Sequence, residues 1–89
     1  MTVDHSAALE RIEFGQEGWE ADLIALFEVV RDEGGVAVIK FDGERDAFDV
    51  PFTAILSQGR LKSDYLRKDA SNAHSAAAWC LLRYFDYHE

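Results

Sequence analysis

The chain has 89 residues, a formal net charge of −8, 48% hydrophobic residues and a single cysteine, Cys80. A chain this short builds one domain, residues 1–89, around one thin core, with residues 1–7 expected as a loose terminus. The lone cysteine excludes an internal disulfide, no apolar run nears the ~20 residues of a membrane span, and the first ten residues lack the basic and apolar regions of a signal peptide, so a cytoplasmic protein is expected.

Leu9 to Phe14 alternates near its end, with Ile12 and Phe14 on one side, and reads as a short strand; a helical turn capped by Ser6 is the alternative. Glu17 to Glu33 has helical period. At ~100° per residue, Trp19, Leu23, Leu26, Phe27 and Val30 share one stripe. Acids open this segment, which suits the positive end of a helix, and Gly34-Gly35 closes it.

Val36 to Phe41 is β-branched and apolar and predicts a strand. Asp42-Gly43 opens a polar turn region that runs through Asp46. Phe52 to Ser57 alternates again, and Pro51 suits the start or edge of a strand. After the turn at Gln58-Gly59, Tyr65 to Lys68 fits one more short strand. Asp69 or Ser71 is then placed to cap a final helix running to about Tyr87. Its inner stripe comprises His74, Ala77, Ala78, Leu81, Tyr84, Phe85 and His88. The predicted class is α+β: a small antiparallel sheet of three or four strands, order β-α-β-β-(β)-α, with two helices on one face. Leu23, Phe27, Val38, Leu56, Leu81 and Phe85 are its expected core.

No residue set carries a recognisable catalytic chemistry, and no cofactor is expected. His5, His74, His88 and Cys80 are the candidate metal ligands. A helical ligand pair needs a spacing of three or four, whereas His74 and Cys80 are six apart, so no metal site is expected. Cys80 sits between Trp79 and Leu81 inside a helix, the setting of an inert thiol. His74 on an apolar stripe is most simply a core histidine. A small ligand binder or enzyme centred on it is the third functional reading.

Arg60, Lys62, Arg67 and Lys68 cluster around Asp64 and Tyr65, the minimal footprint for nucleic-acid contact. The net charge opposes it, and direct nucleic-acid binding is not expected. Residues 1–33 carry nine acids and two bases, hence −7, and the remainder carries −1. Solubility alone does not require that asymmetry. Glu17, Glu20, Asp22, Glu28 and Asp32 line the outer sides of the first long helix. Trp79 lies roughly 160° from the inner stripe of the last helix, near Arg83 and Asp86, as an interface anchor would.

These residues predict a non-enzymatic module, an inhibitor or adaptor, that binds a basic surface of a partner protein, such as a nucleic-acid-binding protein or nuclease. In size and charge alone the chain resembles anti-defence inhibitors of phages and mobile elements and the immunity proteins of bacterial toxins. The alternative is a structural module that forms a homodimer through Trp79 and a free strand edge. No membrane contact is expected.

Overall fold

The computed structural model describes residues 4–43 and 50–87. Their order is α1 (Ser6–Glu13), α2 (Trp19–Asp32), β1 (Gly35–Phe41), β2 (Phe52–Gln58), a 3-10 turn (Gly59–Leu61), β3 (Tyr65–Ala70) and α3 (Ala73–Phe85). The class is α+β, with three helices and one antiparallel sheet of order β1-β2-β3. His88 and the turn residues 44–46 lie outside the described residues.

The opening segment is a helix, not the expected strand. Ser6-Ala-Ala-Leu-Glu-Arg-Ile-Glu13 is composed largely of strong helix formers. Leu9 and Ile12, three apart, are the pair it buries. The Asp4 carboxylate accepts the Ser6 N–H at 2.9 Å, satisfying one of the first-turn donors. The apparent alternation misled because Phe14 lies beyond the helix and is 64% exposed. Ser6 and Ala7 thus belong to the fold rather than to a loose end.

α2 buries Leu23, Leu26 and Val30, with Trp19 and Phe27 packed at the margin of the same core. α2 lies over β1, α3 lies over β2 and β3, and α1 packs against both helices. All the helices therefore sit on one side of the sheet. α3 is capped by Asn72, whose side chain accepts the Ser75 N–H at 3.0 Å; the cap is not Asp69, which belongs to β3, or Ser71.

β1 and β2 pair without a bulge from Gly35 opposite Gln58 to Phe41 opposite Phe52. Ala54 and Leu56 face the helices and are fully buried, and Ala37 and Ile39 pack beside them. Val38 falls on the other face and is 43% exposed, so it leaves the expected core. With a period of two, placing Ala37 and Ile39 inward forces Val36 and Val38 outward. The remaining expected core residues hold their places: Leu23, Leu56 and Leu81 are buried, and Phe27 and Phe85 are partly buried against them.

Candidate functional site

Three groupings of chemistry-bearing side chains emerge, and they lie in different places. The first ties α2, the turn after β2 and α3 together. Arg60 donates from Nε and Nη2 to the two oxygens of Glu33, at 2.8 and 3.0 Å. The Tyr84 hydroxyl donates to Glu33 Oε1 at 2.6 Å and accepts the Arg60 N–H at 3.3 Å. The Arg60 guanidinium also lies 4.9 Å from the Phe85 ring centroid. Hydrogen bonds from Arg60 hold the Glu33 carboxyl below its ordinary range, helped by Tyr84. Burial, then the bond to Glu33, push the Tyr84 hydroxyl up.

This network clamps a tight backbone. Gly59 has φ +56°, and a Cβ there would lie 2.5 Å from the Tyr84 hydroxyl, so only glycine fits. Gln58 and Lys62 on either side also have positive φ, at 62° and 56°. Every polar group of the network has a partner within the fold, so it is read as structural. Beside it, Asp4, His5, Leu9, Arg60, Arg83 and Phe85 line part of an open cleft of about 890 Å³.

The second grouping is around α3. Cys80 is fully buried, its thiol 3.4 Å from the Ala54 carbonyl, and burial pushes its pKa up to about 11. His74 packs against Trp19, with centroids 5.6 Å apart. A Cβ on Gly15, whose φ is +60°, would lie 2.8 Å from His74 Nε2. His74 Nδ1 is buried and has no hydrogen-bond partner among the described residues. The ring wedges the α1–α2 turn against α3 and lines neither of the two clefts described here. Among the described residues, no group of three or more His, Cys, Asp or Glu is placed to hold a metal ion.

Trp79 is half-buried and packs against the core. Arg83 lies 3.8 Å and Lys68 5.4 Å from its ring centroid. It therefore stands over β3, whereas α2 stands over β1. The two edge strands are about 10 Å apart across the sheet. Trp79 and Arg83 are thus not brought beside the acidic residues of α2.

The basic cluster is also dispersed. Arg60 is held by Glu33. Arg67 and Lys68 alternate in β3 and so point to opposite faces, Arg67 within 3.6 Å of Asp69 and Lys68 toward Trp79. These residues do not form one cationic surface.

The third grouping is the outer side of α2. Its predicted acids divide. Asp22 accepts from Arg11 Nε and Nη2 at 2.7 and 3.0 Å, bracing α2 against α1. Asp32 pairs with Arg31 at 3.2 Å. Glu17, Glu20 and Glu28 are exposed and, among the described residues, form no ion pair. Between Glu20 and Glu28, one turn from each, stands Ile24, 61% exposed. Ile24, Phe27, Glu28 and Arg31 of α2 face Gly35, Val36 and Ala37 of β1 across a groove of about 460 Å³. Sequence reasoning missed Ile24 because it lies off the buried stripe. The signal was a large aliphatic residue between two glutamates on the polar side of an amphipathic helix.

No protein-family model, curated protein or solved structure matches this chain.

Proposed function

We propose that this protein is a non-enzymatic binding module that recognises a basic surface of a partner protein through the outer side of α2. The observation that carries the reading is the arrangement Glu20–Ile24–Glu28. Two carboxylates, without ion pairs among the described residues, flank an exposed aliphatic side chain on one helix. Carboxylates on the rim steer a cationic partner, and an apolar group between them gives the contact a desolvated centre. A nucleic-acid-binding protein or nuclease presents a basic surface of that kind. The net charge of −8 adds a long-range attraction to it.

A self-associating module is the second reading. The face of the sheet opposite the helices carries Val36, Val38, Ile55 and Tyr65, which would supply an apolar patch. Arg67, Lys40, Thr53 and Asp69 interrupt that patch, and pairing two copies would bring together two chains of charge −8.

The test is association kinetics with a partner captured from lysate, measured at low and high salt. Reversing Glu20 and Glu28 to lysine slows association at low salt and flattens its salt dependence. An association rate unchanged by that reversal removes the acidic face from the interaction.

A further inference from the structure

Building on that reading, we infer that the groove between α2 and β1 takes an extended, apolar segment with basic flanks, which adds to β1 as a fourth strand. The two edges of the sheet are built differently. β3, Tyr65–Ala70, carries Arg67, Lys68 and Asp69 in succession. Charged side chains on an edge strand discourage further pairing. β1 is seven residues long, regular from Gly35 to Phe41, with neither proline nor bulge, and Lys40 is its one charge. Among the described residues, no strand pairs with its outer side. Alternate residues of such a strand direct their N–H and C=O groups outward, where an added strand finds a ready ladder.

Beside that edge lies the groove. Its floor and walls come from Ile24, Phe27, Val36 and Ala37, and its volume of about 460 Å³ suits a few aliphatic side chains. An added strand gains affinity from main-chain hydrogen bonds and specificity from pockets for its alternate side chains. The edge supplies the first and the groove the second. Val38, exposed two residues beyond Val36 on the same face of β1, extends the apolar track.

The charges around the groove select the occupant. Arg31 is paired with Asp32, and Lys40 lies 3.8 Å from Asp42. Glu28 on the rim and Glu20, one turn before Ile24, have no such partner among the described residues. The field at the groove is therefore negative, and a segment with lysine or arginine at its ends complements it. A second copy of this chain would bring the same acids to the same rim.

The experiment is an NMR titration of the full chain with two synthetic peptides. One is Lys-Lys-Val-Thr-Val-Thr-Val-Lys-Lys, and the other has the same centre with glutamate flanks. The lysine peptide is expected to shift the amides of residues 35–41 and of Ile24. It slows hydrogen exchange of the outward amides of β1, and it binds at least tenfold more tightly than the glutamate peptide. Ile24→Ser, an exposed change that leaves the core intact, weakens it by about tenfold.

If the lysine peptide binds α2 without protecting β1, the added-strand inference falls and the acidic-surface reading stands. If both peptides protect β1 equally, the acidic-surface reading and the basic occupant fall, and edge pairing remains. If neither peptide shifts β1, the inference is overturned, and the acidic-surface reading is left to the kinetics of the captured partner. Shifts in β1 that grow with protein concentration alone assign the edge to a second copy, which also overturns it.

Discussion

The Tyr84 hydroxyl, on α3, donates to the carboxylate of Glu33, at the end of α2, at 2.6 Å, and so joins residues 51 positions apart. Arg60 completes the arrangement from the turn between β2 and β3. Tyr84→Phe removes the donor and leaves the Arg60 N–H without its hydroxyl acceptor. A hydrogen bond to a charged group contributes about 1.5–3 kcal/mol, and partial exposure of Glu33 places the expected loss near the lower end. Urea unfolding of the variant measures it. A loss of under ~0.5 kcal/mol would show that the network is a surface contact without structural weight.

The same network sets an acid limit. Arg60, with Tyr84, holds Glu33 below its ordinary value of 4.5 in the folded chain. A carboxyl with a depressed folded pKa contributes stability that is complete above the unfolded value. That contribution is lost as pH falls through the folded pKa. Asp22, lowered by its bond from Arg11, acts in the same direction. Stability should therefore decline below about pH 4.5. Glu33→Gln should flatten part of that decline while lowering stability at neutral pH. Melting temperatures recorded from pH 2 to 7 for both chains test the sign, and parallel curves would exclude Glu33 as a contributor.

Core substitutions separate the two faces of the sheet. Leu81 is fully buried, and Leu81→Ala should cost about 2–5 kcal/mol through lost burial and the cavity left behind. Val38 is 43% exposed on the helix-free face, and Val38→Ala should cost well under that. Equal losses would mean that the outer face is covered. Cys80 offers an independent probe of the same core. Buried, with its pKa pushed to about 11, it should react with a thiol reagent at pH 8 far more slowly than a free thiol and accelerate in urea.

How far these positions were legible differs from element to element. α2 follows from its helical period, and the three strands from short apolar or alternating runs bounded by turn residues. α1 was misread because it is only eight residues long and buries just Leu9 and Ile12, too short a stripe to outweigh the chance alternation with Phe14. The outward turn of Val38 was invisible because Val36 to Ile39 is apolar on both sides, which leaves the facing of the strand undetermined until its partners are known. The acidic side of α2 could be read, but the sequence does not say which acids are engaged by Arg11, Arg31 or Arg60. Those pairings depend on how α1 and the 59–61 turn pack, so Asp22 and Glu20 looked equivalent.

That inequivalence yields the sharpest prediction. Glu20, Asp22 and Glu28 all belong to α2, yet Asp22 makes two hydrogen bonds to Arg11, while Glu20 and Glu28 make no ion pair among the described residues. Exposed charges at the edge of an interface govern association rate and salt dependence. A carboxylate already engaged within its own fold contributes less field outward and more to stability. Reversing Glu20 and Glu28 together should thus slow binding of a basic partner at low salt and leave the melting temperature nearly unchanged. Asp22→Asn should do the opposite, lowering the melting temperature while largely preserving the association rate. Trp79→Ala, which removes packing over β3, should resemble Asp22→Asn because it lies away from the α2 face. The measurement pairs thermal unfolding with stopped-flow association at two salt concentrations for all three variants. If Trp79→Ala slows association or hastens release while the glutamate reversal does neither, the partner binds at α3 and β3, and the α2 face is a solvated surface.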